Sequence, residues 1–101
     1  MEDDLRAHYE AYPYPARHAA DEAARLITGS PSHLAEINHY IFAGEMDFSA
    51  PFRALIAGGG TGDAAIMLAQ QLSDAGSPGE VVHLDLSRAA GNITRARAAA
   101  R

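Results

Sequence analysis

The alternation of apolar and polar positions changes character near residue 52. Before that point the pattern is helical and interrupted. Asp4 to about Tyr12 reads as one short helix with Asp3 or Asp4 as its cap, an acidic start that suits the helix dipole. Tyr12-Pro13-Tyr14-Pro15 must break it, because each proline lacks an N–H and pushes the preceding residue out of the helical region. His18 to Ile27 predicts a second helix, which Thr28-Gly29-Ser30-Pro31 ends with turn chemistry. Ser32 to about Phe42 predicts a third, with Ser30 or Ser32 as cap, and Gly44 to Pro51 reads as a loop.

After residue 52 the pattern is that of strands and helices in alternation. Arg53-Ala54-Leu55-Ile56-Ala57 is a short apolar run without alternation, which predicts a strand buried on both faces as in a parallel sheet. Gly58-Gly59-Gly60-Thr61-Gly62 follows at once, and Asp63 to about Ala75 predicts a helix with Ile66, Leu68, Ala69 and Leu72 as its apolar positions. Gly76-Ser77-Pro78-Gly79 is a turn, Val81 to Leu86 a second strand, and Ser87 the cap of a last helix through the Ala- and Arg-rich tail. The order strand, glycine loop, helix, strand, helix is one βαβ unit with a helix appended. The expected fold class is α/β, the opening of a doubly wound Rossmann-like sheet behind a helical N-terminal segment. The boundary divides the chain into a lead-in, residues 1–52, and a βαβα part, residues 53–101.

Composition narrows the function classes. A chain of 101 residues allows one small domain, and 48% hydrophobic residues suit a globular protein. Thirteen acidic against eight basic side chains, all arginine and scattered, give a net charge of -5, which disfavours nucleic acid and anionic membranes as partners. Absence of cysteine removes disulfides and thiolate metal sites. No apolar run approaches a membrane span, and the acidic Met1-Glu2-Asp3-Asp4 start is unlike a signal peptide, so a cytoplasmic location is expected.

The glycine loop carries the chemistry. Between a strand and a helix, glycines permit backbone angles closed to other residues and let a ligand approach the main chain. The helix start supplies unpaired N–H groups and a positive dipole end. Asp85 closes the next strand, 85 − 58 = 27 positions after Gly58. In a βαβ unit the ends of neighbouring strands lie about 5 Å apart. An acidic side chain there can accept hydrogen bonds from both hydroxyls of a ribose. Two cofactor classes use this arrangement. A dinucleotide site prefers G-x-G-x-x-G, but counted from Gly58 the third position is Asp63, and counted from Gly60 it is Ala65. The tighter series Gly58, Gly60, Gly62 suits an adenosyl amino acid better than a pyrophosphate, with NAD the alternative.

Leu55-Ile-Ala-Gly-Gly-Gly-Thr-Gly-Asp63 resembles motif I of the class I S-adenosylmethionine (SAM) dependent methyltransferases. Val81-Val-His-Leu-Asp-Leu-Ser87 is similar to that family's second strand. Leu5-Arg-Ala-His-Tyr-Glu-Ala-Tyr-Pro-Tyr-Pro-Ala-Arg17 resembles the lead-in of a bacterial subgroup. The resemblance implies methyl transfer from SAM to an unidentified acceptor. It implies that Gly58, Gly59, Gly60 and Gly62 shape the cofactor wall, that Asp63 lies near the amino-acid end, and that Asp85, with Leu86 beside it, takes the ribose. Ile56 stands where many members carry an acidic residue, so contact to the methionine amino group must come from elsewhere. The family's adenine-binding and acceptor segments have no counterpart in the sequence. The chain is accordingly expected to be an N-terminal fragment of the domain, inactive alone, with exposed strand edges open to self-association. The other readings are an oxidoreductase fragment and a noncatalytic remnant serving as a binding module.

The remaining chemistry-bearing residues have plainer roles. His8, His18, His33, His39 and His83 fit no metal-ligand spacing, and surface or packing roles are expected. Tyr9, Tyr12 and Tyr14 can stack on a ligand or pack the lead-in on the sheet. Arg17 is expected to be solvated, and Arg88, Arg95, Arg97 and Arg101 to form a solvated helix face.

Overall fold

The computed structural model describes residues 2–30 and 32–101. Helix α1 spans Glu2–Ala11, α2 Leu34–Ile41, β1 Arg53–Ala57, α3 Asp63–Asp74, β2 Glu80–Leu84 and α4 Arg88–Ala99. The fold class is α/β: among the described residues, four α-helices accompany a two-stranded parallel sheet in which Arg53 pairs with Glu80 and Ala57 with Leu84. Local chemistry sets most boundaries. Helix α3 ends at Gly76, where φ is 70°, and Gly76 N and Ser77 N return to the carbonyls of Ser73 and Leu72 at 3.0 and 2.9 Å. Helix α4 starts from Ser87, whose hydroxyl accepts from Ala90 N at 3.1 Å.

Three expectations are corrected. The helix predicted over His18 to Ile27 is only a 3-10 turn, Ala19–Ala23. Helix α1 begins at Glu2, so Asp4 falls in its first turn rather than at its cap, and the Pro31 end of the predicted turn lies outside the described residues. The strands are covered on one face alone. Ile56 and Val81 pack with Ile37, Phe48 and Phe52 against the buried Leu34, Leu68 and Leu72. Leu55, Val82 and Leu84 point the other way and are 63%, 46% and 59% exposed. Among the described residues, α2, α3 and the 42–52 loop supply the apolar cover, all on the Ile56–Val81 face.

The lead-in lies against the βαβα part. Glu10 of α1 accepts from the backbone N–H of Arg88 and Ala89 at 2.7 and 2.9 Å, and Tyr9 O accepts from the Ser87 hydroxyl at 3.1 Å. The chain then crosses the glycine loop through Tyr14 and Pro15, where Pro15 O accepts from the Thr61 hydroxyl.

Candidate functional site

The glycine loop leaves the C-terminal end of β1 and is tied to the end of β2. Gly58 N and Gly59 N donate to Leu84 O at 2.7 and 3.3 Å. Gly60 N donates to Asp85 Oδ2 and Ser87 N to Asp85 Oδ1, each at 2.8 Å. Loop and acid therefore face one another across the ends of two parallel neighbours. Two positions demand glycine. Gly60 has φ of 58°, and a Cβ there would stand 2.5 Å from Tyr14 O; Gly62 has φ of 104°, and a Cβ would stand 2.7 Å from the Thr94 hydroxyl.

A cleft of 370 Å³ opens beside the loop. Gly58, Gly60, Asp85, Leu86 and Ser87 line it from the sheet side, and Tyr9, Pro13 and Tyr14 from the lead-in. Asp85 is the one charged residue among them; with Leu86 and Ser87 it also lines a larger cavity of 610 Å³ on its other side, into which Arg6, His83, Arg88 and Arg95 reach. A carboxylate offers about four acceptor sites, and two backbone N–H groups fill two, so Asp85 keeps acceptor capacity for hydroxyls in the cleft.

The other expected site residues lie elsewhere. Gly59 faces the His83 ring, where a Cβ would be 2.5 Å from Cδ2, and Gly62 is buried against Thr94. Asp63 accepts from Arg17 Nε and Nη2 and from Arg97 Nη1, all at 2.8 Å. The Arg17 fork, with help from Arg97 and against partial burial, holds its carboxyl below the ordinary value. Arg17 is thus paired rather than solvated.

Arg97 is the largest departure from expectation. It is 1% exposed, where a solvated helix face was expected. Nε donates to Glu22 Oε1 at 2.6 Å and Nη1 to Thr61 O at 2.9 Å, while Arg101 Nε takes Glu22 Oε2 at 2.6 Å. Because Glu22 divides its two oxygens between two arginines, Arg97 Nη2 is buried without a partner. Burial pushes the Glu22 carboxyl up, but the hydrogen bonds from Arg97 and Arg101 outweigh it and hold the group below its ordinary value. The sequence held one signal of this. Ala90, Thr94, Arg97 and Arg101 recur at helical spacing, and the first three are the buried positions of α4.

Among the described residues no three His, Asp or Glu side chains come together as a metal would need, and no helix is long and apolar enough to cross a membrane. Comparison with family models, with curated proteins and with solved structures returned no match.

Proposed function

We propose that the cleft binds S-adenosylmethionine and that the chain carries the cofactor site of a Rossmann-like class I methyltransferase. The observation that supports this best is the lining of the cleft. A glycine loop and a strand-end carboxylate share it, and no basic side chain enters it. A dinucleotide brings a pyrophosphate that calls for free backbone N–H groups on the glycine loop, and here Gly58 N and Gly59 N go to Leu84 O and Gly60 N to Asp85. An adenosyl sulfonium brings positive charge, a ribose and an apolar ring instead. Asp85 takes the ribose hydroxyls with its remaining acceptor sites. Leu86, half exposed at the rim, offers an apolar contact to the base. Gly58 and Gly60 let the ligand approach the main chain, and Tyr9, Pro13 and Tyr14 line the far side. The bound cofactor supplies a methyl group activated by the sulfonium. The chain's part is to hold that group in place, since direct displacement depends mainly on alignment. No side chain in the cleft is assigned to proton transfer.

Calorimetric titration with SAM, NAD and adenosine tests the reading. SAM and adenosine should bind and NAD should not. Asp85→Ala should weaken SAM by about 1.5–3 kcal/mol, the usual worth of hydrogen bonds to a charged group. Unchanged affinity in that variant, with its fold intact by circular dichroism, removes Asp85 from the site. NAD bound in place of SAM favours an oxidoreductase.

A further inference from the structure

Strand β2 has a neighbour on one side alone. In a parallel pair, alternate residues of a strand bond to the same partner strand. Glu80 N donates to Phe52 O at 2.9 Å and Leu84 O accepts from Gly58 N at 2.7 Å, so Glu80, Val82 and Leu84 turn their backbone groups to β1. Val81 and His83 turn theirs to the other edge, which no strand among the described residues covers. The 610 Å³ cavity runs along that edge: Val81, His83 and Leu84 line it, and no residue of β1 does. Ile66 and Ala69 of α3 give it an apolar wall, and Arg88 and Arg95 of α4, with Arg6 of α1, give it a basic one. Asp85 is the one acid in the lining, and its two oxygens already accept from Gly60 N and Ser87 N. Elsewhere the arginines Arg17, Arg53, Arg97 and Arg101 pair with carboxylates, whereas Arg88 and Arg95 pair with none among the described residues.

We infer that the free edge of β2 is a docking groove for an extended, acidic segment of a partner protein. A free edge offers N–H and C=O groups with which a further strand can pair. The segment pairs with the backbone of Val81 and His83, sets apolar side chains against Ile66 and Ala69, and brings carboxylates to Arg88 and Arg95. A basic segment would gain the same backbone bonds but meet like charge, so charge selects the partner. A second copy docked β2 to β2 would bring the two basic walls together, and repulsion opposes it. The groove lies on the other side of Asp85 from the cleft, and its occupancy does not depend on the ligand held there.

The test is a nuclear magnetic resonance titration of the whole chain with three capped hexapeptides: alternating aspartate and valine, alternating lysine and valine, and the acidic peptide N-methylated throughout. The acidic peptide should bind at millimolar concentration, and the amides of Val81 and His83 should shift and gain protection from hydrogen exchange. The lysine peptide should bind about tenfold more weakly, the worth of two exposed ion pairs exchanged for two repulsions. The N-methylated peptide, which keeps the charge and loses its donors, should not protect His83 or Val81. Arg88→Glu/Arg95→Glu, with its fold confirmed by amide spectra, should invert the preference between the acidic and lysine peptides. Failure of the acidic peptide to bind, equal binding of its N-methylated form, or an unchanged preference in the folded double variant overturns the inference. Protection of Val81 and His83 that rises with protein concentration and needs no peptide overturns it too, because the occupant is then a second copy.

Discussion

Replacing Arg97 by methionine should cost this protein a large part of its stability, and replacing its partner as well should restore most of it. Arg97 and Glu22 form an ion pair at 2.6 Å with side chains 1% and 3% exposed. Removing one member of a buried pair costs about 3–5 kcal/mol, because the other charge stays buried without compensation. Glu22 keeps Arg101 at 2.6 Å, which places the loss near the lower end of that range. The carbonyl of the fully buried Thr61 also loses its Arg97 donor, which adds about 1 kcal/mol. Asp63 is spared, because the Arg17 fork remains. The sum is about 3–4 kcal/mol, a large share of the roughly 5–15 kcal/mol that holds a small domain together.

Urea unfolding followed by circular dichroism reads this directly. With a slope of about 1–1.5 kcal/mol per molar urea, the midpoint should fall by about 2–4 M in Arg97→Met. The double variant Arg97→Met/Glu22→Met removes both buried charges and leaves Arg101, 19% exposed, free to turn to water. Its midpoint should return to within about 1 M of the wild type, since apolar replacement of a buried ion pair is often neutral. A single variant that loses less than 1 kcal/mol, or a double variant as unstable as the single, would show that the buried pair is not the source of the effect.

Two further outcomes follow from the same geometry. Glu22 and Asp63 both have carboxyls held below their ordinary values of 4.5 and 3.8, so the stability they contribute is present above those values and is lost as pH falls through the lowered ones. The urea midpoint should be nearly flat above about pH 5 and drop below about pH 4, with a shallower drop in the double variant; identical acid profiles would refute the assignment. Leu68→Ala, in α3 against the covered face of the sheet, should cost about 2–5 kcal/mol, while Leu84→Ser on the open face should cost less than about 1 kcal/mol; a larger loss that grows with protein concentration would show that copies cover the open face.

The βαβα part was legible because its signals are local. An apolar run beside a glycine cluster marked β1 at Arg53–Ala57 residue for residue, and Ser87 marked the start of α4. The errors fall where distant partners decide. Ala19 to Arg25 is rich in helix formers, yet the chain makes only a short 3-10 turn there. A helix of so few turns gains little from propensity. The segment must instead deliver Glu22 to Arg97 and Arg101 just after Arg17 has reached Asp63. One-sided cover of the strands was equally illegible, since a five-residue apolar run does not say how many layers will meet it.

The same long-range pairings change the status of the lead-in. Three of its charged side chains, Glu10, Arg17 and Glu22, reach into the βαβα part, at sequence separations between 46 and 79. Arg17 and Glu22 meet outside the lining of the cleft, through Asp63 and Arg97, and Arg97 also donates to the Thr61 carbonyl inside the loop itself. The glycine loop is therefore held between two grips. Asp85 takes the Gly60 amide on the cleft side, and Arg97 takes the Thr61 carbonyl on the buried side. Glycines that confer freedom on the backbone would by themselves leave the loop loose, and a loose loop spends binding energy on ordering. Fixing adjacent residues from both sides, with the lead-in pressed against Gly60 at Tyr14, lets the backbone keep its unusual angles without keeping its mobility. That is the condition the proposed cofactor site requires, and Tyr14 and Glu22 of the lead-in supply part of it.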